Sequence, residues 1–230
     1  MNKRLRIKKS SLLLLLVLPL SLLAQQEETG DWLMYFGTNR VSDKFSVHTE
    51  VQYRNHTLAP VNIEQLLLRT GLNYHFSEKA FVTGGYAYIA NHEFESEQSA
   101  PESEEHRIWQ QFILTNTIGR VKFEHRYRLE QRWVKNDYRN RFRYRLMLFV
   151  PLNKPRIEKG TLFAGIYDEV FLNGKKDFFD RNRLYGALGY QLRKNTSVQV
   201  GMMHQQLNDF GKWYLQFALV LNLDFRKDKV

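Results

Sequence analysis

Apolar and polar side chains alternate with a period of two along most of this chain, the spacing of β-strands rather than of helices. The alternation is cleanest from Val121 to Val134. Val121, Phe123, His125, Tyr127, Leu129, Gln131 and Trp133 share one face, while Lys122, Glu124, Arg126, Arg128, Glu130 and Arg132 share the other. In the next segment Phe142, Tyr144, Leu146, Leu148 and Val150 oppose Arg139, Arg141, Arg143 and Arg145. A helix would scatter these arginines around its circumference, whereas a strand lines them up. The same plan, less pure, runs from Phe45 to Arg54, Gln65 to Tyr74, Val82 to Ala90, Arg107 to Ile118, Thr161 to Leu172, Arg183 to Leu192 and Thr196 to Gln206. A short segment, Trp32 to Asn39, precedes them, and Trp213 to Phe225 ends the series. No segment reads as an amphipathic helix.

Alternation alone does not say which face meets water, because a soluble sandwich or barrel alternates too. Three features favour a membrane barrel. Many segments reach the roughly 9 to 11 residues that a tilted strand needs to cross a bilayer. Tight connections (Phe76 to Lys79, Gly119 to Arg120, Lys194 to Asn195) alternate with mostly longer, polar ones (Asn91 to Glu105, Lys135 to Tyr138, Asn173 to Asp180, Leu207 to Lys212), with Asn153 to Gly160 an exception. Trp32, Tyr53, Tyr74, Trp109, Trp133, Tyr144, Tyr190 and Trp213 fall on or near segment ends, where interfacial girdles would put them. The expected fold is all-β, a transmembrane antiparallel up-and-down β-barrel of 10 to 12 strands. Eleven segments conflict with the even number usual in such barrels. Either Trp32 to Asn39 does not span, or one segment is wrongly divided. The terminal aromatic Phe225 suits recognition by the barrel-insertion machinery.

The start of the chain changes how its charge is read. Lys3, Arg4, Arg6, Lys8 and Lys9 precede an apolar run from Leu12 to Ala24, then Gln25 and Gln26. That is the plan of a secretory signal, and the run is too short for a helical span of roughly 20 residues. Residues 1–24 are therefore expected to be a signal peptide and 25–230 one outer-membrane β-barrel domain of a Gram-negative cell. The whole chain has 34 Lys and Arg against 24 Asp and Glu, a net charge of +10. Five of those cations leave with the signal, which weakens a nucleic-acid reading, and no nucleic-acid-binding motif is present. There is no cysteine, so disulfides and thiol chemistry are excluded. A mean hydropathy of −0.49 is compatible with a barrel, since only one face of each strand must be apolar.

His106 to Gln111 (HRIWQQ), Glu124 to Trp133 (EHRYRLEQRW) and Arg141 to Leu146 (RFRYRL), followed by Val150, Pro151 and Leu152, resemble the bacterial family known as domain of unknown function 2490. Asp31, Trp32 and the run Asp168, Glu169, Val170, Phe171 fit that resemblance, which spans about Asp31 to Phe225. It implies export and an outer-membrane barrel, brings no established activity, and carries no catalytic residues.

Arginines facing lipid would cost about 2 to 4 kcal/mol each at the midplane, so Arg126, Arg128, Arg132, Arg139, Arg141, Arg143 and Arg145, with Lys122, are expected to face the lumen. Their counter-charges would be Glu124, Glu130 and Glu169, with Glu50 and Asp224 as further candidates. One outcome is a narrow or plugged barrel of structural role, packed by Arg–carboxylate pairs. The alternative is a porin-like, anion-selective path or an anionic-ligand site, with small anions as cargo. A third reading, a lipid-modifying enzyme, finds weak support. His125 and His204 lie on the apolar faces, and no G-x-S-x-G or H-E-x-x-H motif occurs. No cofactor and no metal is expected. The expected partners are outer-membrane lipids, lipopolysaccharide and the insertion machinery. Glu93, Glu95, Glu97, Glu102, Glu104 and Glu105 make one loop acidic, read as a solvated surface with divalent-cation bridging the alternative.

Overall fold

A computed structural model describes residues 29–58, 62–94, 100–135, 137–174, 178–208 and 210–226. The expected signal peptide, and Glu95 and Glu97 of the acidic loop, lie outside the described residues. The described residues form eleven strands: β1 (Gly30–Arg40), β2 (Phe45–Asn55), β3 (Ile63–Ser77), β4 (Ala80–Asn91), β5 (Ser103–Ile118), β6 (Val121–Val134), β7 (Asp137–Pro151), β8 (Leu162–Asn173), β9 (Phe179–Arg193), β10 (Thr196–Gln206) and β11 (Gly211–Leu221). Each consecutive pair is antiparallel, and the sheet closes on itself through β1 and β11. Closure leaves no unpaired edge.

The conflict over strand number resolves in an unforeseen way. β1 is a complete strand of 11 residues, and no segment was wrongly divided. An odd number of alternating strands leaves the first and last pointing the same way, so the barrel must close with a parallel pair. β1 and β11 make that pair, in register from Gly30 opposite Tyr214 to Gly37 opposite Leu221. The purely antiparallel expectation is corrected at this one seam. The seam continues past β11, where the Arg40 amide donates to the Leu223 carbonyl and the Phe225 amide to the Arg40 carbonyl, both at 2.8 Å.

A second consequence is that the ends of the sheet lie at opposite ends of the barrel. Gly30 stands with the connections β2–β3, β4–β5, β6–β7, β8–β9 and β10–β11, the loop end. Leu221 stands with the other connections, the turn end. One of those is the tight turn at Gly119, whose φ of +59° suits a residue without a Cβ. The longer connection from Leu152 to Thr161 also belongs to the turn end, as its place in the alternation required.

Parity along each strand decides what is inside. On the outer wall Leu33, Leu68, Leu72, Ile108, Leu129, Ile166, Leu184, Leu188, Val200 and Leu219 are all exposed. Trp133 with Tyr138 and Trp213 with His204 pair on this wall at the loop end, and Phe45 with Tyr74 at the turn end. Trp32 and Trp109, read from the sequence as girdle residues, point inward and are buried. Trp109 fits because the inner face of β4 is built of small residues. A Cβ on Gly85 would stand 2.7 Å from the indole, and one on Gly71 3.0 Å from it. Tyr144 is outward but mid-strand, stacked beside His125 and Tyr127, and is no girdle residue either.

Candidate functional site

The inner wall has two sides. From the turn-end half of β7 round through the seam to β1, Trp32, Met147, Tyr167, Tyr185, Met203 and Tyr214 form an apolar cluster. Tyr167 stacks on Tyr185 with centroids 4.7 Å apart, and Trp32 tilts against Tyr214 at 5.1 Å. From β5 to β7 the wall is charged. Registry places Arg126 opposite Arg145, Arg128 opposite Arg143 and Arg132 opposite Arg139, three like-charged cross-strand pairs in one hairpin. Like charges so placed repel, so acids must come between them.

Glu130 is the centre of that answer. It is fully buried; its carboxylate accepts from Arg141 Nη2 at 2.6 Å and from Arg143 Nη1 at 2.7 Å. Arg107 and Arg128 approach it at 3.7 and 3.8 Å. Glu169 on β8 accepts from Arg126 at 2.7 Å and Arg143 at 2.8 Å, so Arg143 bridges the two carboxylates. Glu124 takes Arg145 at 2.6 Å. Glu105 takes Arg132 and Arg107, and Asp180 takes Arg141 at 3.2 Å. Charged hydrogen bonds of this kind are short and directional, and a carboxylate shared by two guanidinium groups fixes both.

Of the residues expected in the lumen, Arg126, Arg128, Arg132, Arg141, Arg143 and Arg145 meet in this network with Glu124, Glu130 and Glu169. Arg139 shares their face but stands at the loop-end rim, exposed and paired with Asp137 at 2.7 Å. Glu50 serves Arg69 at 2.8 Å and His48 at 3.1 Å on the opposite side of the bore, not the hairpin. Asp224 lies beyond β11 at the turn end, bound to Arg226.

Sequence reasoning missed Arg54, Arg69, Arg107, Arg181 and Arg183, and the acids Glu105 and Asp180. The alternation on β2, β3, β5 and β9 held the signal for the arginines and Glu105, which lie in phase with inward-facing neighbours, whereas Asp180 sits at the register shift between β8 and β9, where alternation is silent. The side chains line a cavity of about 480 Å³ walled by twelve arginines and four glutamates. A second cavity of about 840 Å³ adjoins it toward the turn end, lined by Lys122, Arg120 and Glu124 among others.

The aromatic rings hold these cations apart where carboxylates do not. Arg143, Arg183 and Arg141 stand 4.2, 4.8 and 5.2 Å from the Phe171 centroid. Arg54 and Arg183 stand 3.8 and 4.9 Å from that of Trp32, and Arg128 stands 4.8 Å from that of Trp109. Cation–π attraction of this kind strengthens when the pair is desolvated.

A serine and a histidine do meet, Ser46 Oγ and His75 Nε2 at 2.8 Å. Ser46 is wholly buried and also accepts from Asn73 at 2.8 Å, which gives it no access to a substrate. His125 bonds the Tyr144 hydroxyl at 3.0 Å on the outer wall.

Residues 29–216 match the family model described as "Protein of unknown function (DUF2490)". Among curated proteins and solved structures no match is found.

Proposed function

Because the chain belongs to the DUF2490 family, whose description assigns no activity, we propose on physical grounds that it is an outer-membrane β-barrel protein of a Gram-negative cell. It is exported by a leader over residues 1–24, and its narrow bore is packed by an arginine–glutamate network of structural role. The observation that carries this reading is the inversion of the wall, apolar outside and charged inside. In water the band running through Leu129, Leu184 and Leu188, each more than half exposed, would be an extensive apolar patch of a kind soluble monomers avoid. In a bilayer it is the lipid-facing surface, and the buried guanidinium groups are where a lipid-spanning strand must keep them. Aromatic pairs near both ends of the outer wall support the same placement.

The partners on this reading are membrane lipids and lipopolysaccharide on the outer wall, and the insertion machinery at exposed Phe225. No catalytic role is proposed. With no cysteine in the chain, single cysteines at Ser42 and Phe210 give a clean test. An impermeant maleimide applied to whole cells should label Phe210→Cys at the loop end and spare Ser42→Cys at the turn end. The unboiled protein should also sediment with membranes and migrate differently on a gel from the boiled one. Release of the protein by osmotic shock would sink the location.

A further inference from the structure

The arginines expected from the sequence to meet an anion are mostly satisfied by glutamates; the arginines left over are elsewhere. Arg54 on β2 and Arg183 on β9 are both more than nine-tenths buried. Neither has a carboxylate within ion-pair distance among the described residues. Arg54 donates only to side-chain amides, Gln52 and Gln65, and Arg183 donates Nε to the Gln205 amide oxygen at 2.8 Å. Both guanidinium groups lie within 4.9 Å of the Trp32 ring centroid, so one indole joins them. Across the cavity the buried Nη1 of Arg128 and Nε of Arg126 have no hydrogen-bond partner.

Two buried cations with no carboxylate at ion-pair distance lose hydration with little direct compensation, and a low-dielectric wall makes that cost larger. Neutral amides satisfy some of their N–H groups but none of their charge. An anion between them would supply it. We propose that the bore holds a binding site for an organic phosphate or carboxylate, gripped by Arg54 and Arg183 and seated on Trp32 and Phe171. The guanidinium forks match the planar, multi-oxygen geometry of such anions. The rings, with Met34 and Met147 also on the cavity wall, provide an apolar seat for the body that carries the charge. Trp32, Arg54 and Arg183 all lie toward the loop end of their strands, so the ligand reaches the site from that end. The site needs only the closed bore, and it stands or falls independently of where in the cell the protein resides.

The test is calorimetric titration of the folded mature barrel in a neutral detergent with phenyl phosphate, inorganic phosphate and benzyl alcohol. Phenyl phosphate is expected to bind saturably, inorganic phosphate more weakly, and benzyl alcohol not at all. Arg183→Gln should weaken phenyl phosphate about tenfold or more, since it removes one of the two charged donors. Gln205→Glu has nearly the shape of the native residue and puts a carboxylate against Arg183. It should abolish binding and raise the unfolding midpoint, and it keeps the test sound if Arg183→Gln does not fold. Arg226→Gln, beyond β11 at the turn end and outside the lining of this cavity, should leave the affinity unchanged. Absence of saturable phenyl phosphate binding, equal binding of benzyl alcohol, or an affinity unmoved by Gln205→Glu would each overturn the proposal.

Discussion

The two sides of the bore treat the same residue type in opposite ways. On the β5–β8 side, arginines stand opposite arginines and are held by carboxylates shared between strands, Glu130 and Glu169 foremost. On the side formed by β9, β1 and β2, Arg54 and Arg183 face aromatic rings and neutral amides. The difference teaches that an arginine-rich lumen is not one electrostatic object. One part is closed on itself, with its charge cancelled locally. The other leaves Arg54 and Arg183 with no carboxylate at ion-pair distance among the described residues. Burying an ion pair is seldom a net source of stability, but breaking one is costly, and this asymmetry makes the two sides separable by experiment.

The largest effect should come from the closed side. Glu130→Gln keeps the shape and removes the charge that Arg141 and Arg143 share and that Arg107 and Arg128 approach. It should lower stability to denaturant by about 3 to 5 kcal/mol, the usual cost of leaving buried charges unpaired. Unfolding of the detergent-solubilised barrel in guanidinium chloride measures it. A loss no greater than that of a rim substitution would show that water in the bore, not the carboxylate, carries the arginine charge.

The side of Arg54 and Arg183 should respond with the other sign. Arg183→Met removes a buried cation that has no acid partner and retains a long apolar stem. Stability should rise by about 1 kcal/mol or stay level, because relief of desolvation and repulsion offsets the lost bond to Gln205. A large loss in the same denaturant series would place Arg183 in the structural network and erase the contrast. Smaller still is the rim. Arg139 and Asp137 form an exposed pair, both more than half accessible, so Arg139→Gln should change stability by at most about 0.5 kcal/mol.

How much of this could be read in advance follows from what parity determines. Period-two alternation assigns every residue of a strand to a face, so Arg126, Arg128, Arg141 and Arg143 could be placed in the bore from β6 and β7 alone. Adjacent strands joined by a short loop also constrain their own register, which is where the like-charge pairs of β6 and β7 arise. Parity is silent on strands that meet only when the cylinder closes. The partnership of β1 with β11, and with it the parallel seam, depends on the strand count and the shear of the whole barrel. So does the meeting of Arg54 from β2 with Arg183 from β9 over Trp32. Trp32 and Trp109 were misplaced for a different reason: an aromatic near a strand end was read by position when its phase along the strand would have turned it inward.

The smallest effect separates buried from exposed charge at the seam itself. Arg226 holds the Asp224 carboxyl, on the exposed segment after β11, down to about 2 from its ordinary 3.8, chiefly through a side-chain hydrogen bond and then a backbone one. Arg226 also reaches Asp43 in the β1–β2 turn at 3.2 Å, so the contact ties the end of the sheet to the strand it closes against. A depressed carboxyl favours the folded contact wherever it is ionised in both states. The contribution is therefore complete above 3.8 and fades as pH falls through about 2. A carbon NMR titration of Asp224 should give a midpoint near 2, moving back toward 3.8 in Arg226→Gln and in 1 M salt, where exposed charges are screened. The Glu130 network, shut away from solvent, should keep its stability in the same salt. A midpoint at the ordinary value in the parent protein would mean that the Arg226 contact adds nothing to the seam beyond β11, which its bonds to Thr38, Asn39 and Arg40 then hold.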